Sequence, residues 1–117
     1  MTDAIRVVNR SAAVVRPREP FVRWVMSIDD SDPDLEGEVR SQASVYLVPP
    51  DPNEEEEAAP LSLWFVEVFD RELEGWYLDE SLWPQSRDIE TFLEWFEVTT
   101  ESVVVDLAPG PVDHEAW

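Results

Sequence analysis

Apolar residues recur along this chain with two different periods, and the switches between them divide it into elements. Residues 12–16 are small and β-branched and close on Pro17, which predicts a strand. Residues 5–8 are either its continuation or a separate hairpin arm across Asn9-Arg10. Residues 20–28 fit both periods. Phe21, Trp24, Val25 and Ile28 fall at helical spacing behind Pro20, which suits a first helical turn, whereas Val22, Trp24, Met26 and Ile28 alternate like a strand. The helix is favoured. Residues 29–38 read as a polar loop, Ser44–Val48 as a strand stopped by Pro49-Pro50, and residues 49–60 as a proline-rich acidic loop. Glu54 offers an early start to the next helix.

That next helix is predicted over residues 61–74. Leu61, Trp64, Phe65, Val68, Phe69 and Leu73 share one face, and Glu67, Asp70, Arg71 and Glu74 share the other. Gly75 is the natural stop. Glu72 falls toward the apolar face, so either the last turn departs from the helix or Glu72 pairs with an arginine. An aromatic connector follows over residues 76–84. The cleanest pattern is a helix over residues 87–97, with Ile89, Phe92, Leu93 and Phe96 facing inward and Arg87, Glu90, Glu94 and Glu97 outward. Ser86 or Asp88 supplies its N-cap. The run Val103-Val104-Val105 makes residues 102–107 a strand covered on both sides. The order of elements predicts an α+β fold, a small three- or four-stranded sheet with two or three helices packed on one face. Residues 1–107 form one domain on this reading, and residues 108–117 a tail.

Charge changes the picture. The chain has 27 acidic residues against 8 basic ones, a formal net charge of -19 in 117 residues. Such repulsion without apolar mass would leave a chain unfolded. Here 44% of residues are hydrophobic and six are tryptophan, so a packed domain is expected. All the cations are arginine, five of them (Arg6, Arg10, Arg16, Arg18, Arg23) near the start, which predicts internal pairing with later carboxylates. Phosphate binding depends on neutralising cations, so direct nucleic-acid binding is not expected. A bias from genome composition, or a solvation-only surface suited to high salt, would also produce this charge.

The pattern Arg16-Pro17, Pro20-Phe21, Trp24, Tyr46-Leu47-Val48-Pro49, Phe69, Leu73, Trp76, Asp79, Trp83-Pro84, Arg87, Phe92 and Trp95-Phe96 resembles short, acidic, uncharacterised bacterial proteins. The resemblance runs from Ser11 to Leu107. It implies a bacterial or phage-like setting and an α+β fold, and no activity.

Candidate chemistry is sparse. No cysteine is present, which excludes disulfides, thiolate metal sites and cysteine nucleophiles. No apolar run approaches the ~20 residues of a membrane helix, and the start of the chain lacks a signal-peptide apolar region, so the cytoplasm is the expected location. Asp29 to Glu38 is dense in oxygen ligands, but both calcium-loop registers fail. Starting at Asp32 puts Ala43 where a bidentate Glu belongs, and starting at Asp30 puts Leu35 at the glycine position. His114 stands alone, so no metal or cofactor is expected.

What remains is a partner-binding reading. The rows Glu90, Glu94, Glu97 and Glu67, Asp70, Glu74 hold like charges close together on helix faces, which costs helix stability unless a basic protein uses them. Trp76 and Trp83 are aromatic anchors beside them. The expected function is a non-enzymatic protein whose acidic face binds a basic protein, in the extreme as a mimic of DNA. The alternative is a small hydrolase or sugar-binding enzyme using Asp79 and Glu80 between Trp76 and Trp83, marked by a carboxylate of raised pKa in a concave pocket.

Overall fold

The computed structural model of the chain describes residues 6–51, 54–58 and 60–114. Its centre is strand β2 (Ser11–Pro17), which pairs antiparallel on one side with β3 (Ser44–Val48) and on the other with β6 (Phe96–Glu101). The registers Ala13↔Tyr46 and Ala13↔Thr100 align the three strands. Alternation decides the faces. Ser11, Ala13 and Val15 of β2, Val48 of β3 and Phe96 of β6 are buried toward the helices. Val45 and Leu47 point the other way and stay 64% and 51% exposed.

The β2–β6 ladder continues past the sheet as a two-stranded ribbon of β1 (Arg6–Val7) and β7 (Val105–Asp106), joined also by the Val8 N–H donating to the Val104 carbonyl at 2.7 Å. Between Val7↔Val105 and Ala12↔Glu101 one strand holds residues 8–11 and the other only 102–104. The extra residue makes a bulge at Asn9-Arg10. Arg6 and Val7 therefore continue β2 and do not form a hairpin arm with it; Ile5 lies outside the described residues. Val103 and Leu107, expected to be covered on both sides, are each 68% exposed, because the ribbon runs beyond the helical layer. The molecule is accordingly long, 53 × 31 × 23 Å, with a radius of gyration of 16.5 Å where a compact chain of this length would have roughly 13 Å.

Four α-helices among the described residues supply the second layer, which makes this a small α+β domain. Helix α1 (Glu19–Ile28) opens with Pro20 in its first turn and buries Phe21, Val22 and Val25, so the helical period wins there. Helix α2 (Leu35–Ser41) occupies part of the stretch expected to be loop, and buries Val39. The acidic stretch after β3 is not a helix start. It forms a hairpin of β4 (Pro50–Asp51) and β5 (Glu54–Ala58), beside β2 and β6. Four successive like charges disfavour a helical turn, and the ladder gives the backbone partners instead. Leu61–Leu63 is a single 3-10 turn before helix α3 (Phe65–Glu74), which buries Val68, Phe69 and Leu73. Gly75 follows with φ at -61°, right-handed, so it ends α3 without needing glycine's conformational freedom. A second 3-10 turn, Glu80–Leu82, interrupts the connector.

Helix α4 (Ile89–Trp95) is shorter than its pattern suggests, and Phe96 already belongs to β6. The residues Phe96-Glu97-Val98-Thr99 suit an alternating strand as well as a helix. Pairing with β2 decides between them, a case of tertiary context overriding local propensity. The core between the layers is mainly aromatic. Phe69 lies 5.5 Å from Phe92, 5.7 Å from Phe96 and 5.9 Å from Trp95, and Phe21 lies 4.7 Å from Phe96, in tilted or edge-on contacts. Such pairs each add about 0.5–1.5 kcal/mol beyond the area they bury.

Candidate functional site

The carboxylates on α3 and α4 are the surface singled out by the sequence, and their surroundings differ. On α4 the N-cap is Asp88, whose Oδ1 accepts from the Thr91 N–H at 2.8 Å while the Ser86 hydroxyl donates to Oδ2 at 3.1 Å. The Thr91 bond, with Ser86 adding to it, holds the Asp88 carboxyl below its ordinary range. With Phe92 buried, the cap and phase of α4 leave Glu90 and Glu94 exposed on its outer side, with Leu93 beside them 44% exposed. Neither glutamate makes an ion pair among the described residues.

On α3 the acids are engaged. Glu67 lies 3.5 Å from Arg71, one turn along. Asp70 is half-buried, with Oδ1 3.6 Å from the Arg87 guanidinium ahead of α4. Arg87 in turn sits over the Trp83 ring, 5.3 Å from its centroid, a cation–π contact. Only Glu74 of that row is exposed without an ion pair among the described residues.

Two of the predicted anchors belong to the fold. Trp83 is buried, and its indole N–H donates to the Tyr77 carbonyl at 2.9 Å. Trp76 is half-buried against the core and lines a cleft of about 330 Å³ with Gln42, Ser44, Arg71, Glu72 and Gly75. Glu97 leaves the α4 row altogether. It stands on β6 opposite Arg16 of β2, on the sheet face away from the helices. The eight predicted residues therefore do not form one patch.

The misfit of Glu72 has a specific resolution. It does not need an arginine: the Tyr46 hydroxyl of β3 donates to Glu72 Oε2, tying α3 to the sheet. Burial pushes the Tyr46 hydroxyl well above the ordinary phenol range, and the bond to Glu72 adds to it. The out-of-phase acid was the sequence signal for this contact, although its partner was not visible.

Arginine pairing is also redistributed. Arg10 donates to the Asn9 carbonyl at 2.8 Å, and Arg23 reaches Glu19 only at 3.8 Å. Arg10, Arg16 and Arg18 are exposed and make no ion pair among the described residues. The firm pairing comes from Arg40 of α2, which donates to both Glu19 oxygens at 2.7 and 3.0 Å and to Glu36 at 3.2 Å. The Arg40 bond holds the Glu19 carboxyl below its usual range. Since α2 was not expected, neither was this clasp between α1 and α2.

Asp79 caps the Glu80–Leu82 turn by accepting from the Ser81 N–H at 3.0 Å and its hydroxyl at 2.7 Å. These bonds lower its pKa, and both Asp79 and Glu80 are exposed. Asp79 is therefore not the raised carboxylate that an acid–base site there would use. Asp29 and Asp32 make equally local bonds, to Ser31 and to the Asp34 N–H. Among the described residues no group of three or more His, Asp or Glu side chains could hold a metal ion, and no helix is long and apolar enough to cross a membrane. No family model matches the chain, and neither does any curated protein or solved structure.

Proposed function

We propose that this is a non-enzymatic interaction protein that binds a basic protein through its carboxylate surface, with α4 as the centre of contact. The observation that carries the reading is the pair Glu90 and Glu94. They stand one turn apart, exposed and without an ion pair among the described residues, while Glu67 and Asp70 of α3 have cations. Like charges at that spacing cost an isolated helix a few tenths of a kcal/mol, which a cationic partner would convert into attraction. Leu93 between them offers apolar contact inside an acidic rim, the arrangement in which interface anchors work. The field of a chain at -19 steers cations toward it over its whole surface. In the extreme form of this reading the partner's own nucleic-acid-binding surface is what the carboxylates occupy.

Affinity capture from a native lysate, followed by titration of the recovered protein in rising salt, tests the proposal. A basic partner should bind, weaken as salt rises, lose affinity when Glu90 and Glu94 are reversed to lysine, and compete with DNA in the mimic form. Binding indifferent to salt and to E90K/E94K would sink it.

A further inference from the structure

The two edges of the main sheet are protected unequally. Strand β6 carries Glu97 and Glu101 and has the β4–β5 hairpin beside it. Strand β3 is the opposite edge, paired among the described residues with β2 alone. Of the seven strands among the described residues, β3 alone has no charged residue in its sequence, Ser-Val-Tyr-Leu-Val. Edge strands of soluble proteins normally carry charge or a covering element, since their free N–H and C=O groups are a template for another chain. Here Val45 and Leu47 are exposed on the outer face, next to Val14 and Ala12 in the register of β2. In a chain with net charge -19, two copies meet like charge against like charge almost anywhere else.

We infer that β3 is a self-association edge. It pairs antiparallel with β3 of a second copy about a two-fold axis at Tyr46, giving a six-stranded sheet. That register is self-complementary. Val45 of one copy faces Leu47 of the other, and the reverse, so both apolar pairs lie on the outer face. Pro49 and Pro50 fix it, because neither has an N–H to extend the ladder past Val48. A shift toward them loses donors, and a one-residue shift disrupts the matching of apolar faces. This inference is independent of binding to a basic partner, and salt acts on the two in opposite directions. Screening weakens attraction to a cation but relieves repulsion between two anionic copies.

Sedimentation velocity on the full chain over a concentration series, at low salt and at about 1 M salt where the Debye length is ~3 Å, tests the inference. The expected result is a monomer–dimer equilibrium that tightens by about tenfold or more as salt rises. V45E and L47E should each leave a monomer with an unchanged circular dichroism spectrum, because both sites face solvent. V45K/L47E should restore the dimer, since the introduced ammonium of one copy faces the introduced carboxylate of the other. Amide hydrogen exchange on the unmodified chain gives a second readout, with β3 protection increasing with protein concentration. A monomer under all conditions overturns the inference. So does a dimer that V45E and L47E leave intact, or one lost in V45E that V45K/L47E fails to restore.

Discussion

Helices α3 and α4 meet through Phe65, Phe69 and Phe92, with ring centroids 5.5–6.0 Å apart, and each carries acidic residues away from that contact. Their inner faces are equivalent, yet their outer faces are not. On α3 Glu67 and Asp70 are answered by Arg71 and Arg87, whereas on α4 Glu90 and Glu94 have no such answer among the described residues. Two amphipathic helices, each with acids on its outer side, thus sit in different electrostatic surroundings. The difference comes from where a few arginines fall in three dimensions. Periodicity reports which side of a helix is wet, and it does not report what a wet charge touches.

The comparison can be broken at several levels. The inner faces should prove equal. Phe69→Ala and Phe92→Ala, both fully buried, should each cost about 3–5 kcal/mol in urea denaturation. A loss confined to one of them would mean that the two helices do not share a core. The next effect belongs to α3 alone. Tyr46→Phe removes the donor to a half-buried carboxylate and should cost about 1–3 kcal/mol, while Glu72→Gln, which still accepts, should cost less. If both are silent, the Tyr46–Glu72 bond contributes nothing to holding α3 on the sheet.

The cap separates α4 from α3, whose N-cap Trp64 makes no side-chain capping bond. Asp88 has its folded pKa depressed by the Thr91 N–H. Its stabilisation is therefore fully present above the unfolded aspartate value of about 3.9 and is lost as pH falls through the lower folded value. Asp88→Ala should lower the melting temperature by a few degrees at neutral pH and flatten the acid limb of a stability–pH curve. An unchanged acid limb would remove the cap from the account. Smallest of all are the outer charges. Glu94→Lys, which sets an ammonium one turn after Glu90, should raise stability by a few tenths of a kcal/mol, and Glu67→Lys, set against Arg71, should lower it by a similar amount. The same sign in both experiments would abolish the distinction between the helices.

Much of the architecture was legible from pattern. Strand β3 and helix α1 stand where periodicity and Pro20 put them, α3 and α4 form within their predicted spans but shorter, and the α+β class follows. The misses share a cause. Helix α2 has one buried residue, Val39, and a glycine in its middle, so it forms by packing on α1 and not by its own preference. Phe96 is buried whether residues 96 and 97 are helical or extended, so the apolar pattern could not locate the end of α4. Val103 and Val105 look like core residues because β-branched runs usually are, but exposure depends on whether a second layer reaches them. The candidate surface was harder to see than the fold. Glu97 left its row when the helix ended early, and Asp70 and Trp83 were claimed by Arg87, a contact that no linear spacing encodes.

The central position of β2 also fixes an order of events during synthesis. This strand precedes β3 and β6 in the chain, and β3 can join it soon after it is made. Its longer ladder, from Ala12↔Glu101 to Pro17↔Phe96, must wait for the last strand of the sheet, which arrives together with Phe92, Trp95 and Phe96. Helix α4 passes into that strand with no intervening loop residue, and the Arg18 N–H donates to the Trp95 carbonyl at 2.8 Å across the junction. A growing chain therefore carries Phe21 and Phe69 without Trp95 and Phe96, which pack against both, until those residues appear. Completion of the core therefore waits for β6, and the strong negative charge opposes association of the unfinished chain in the interval.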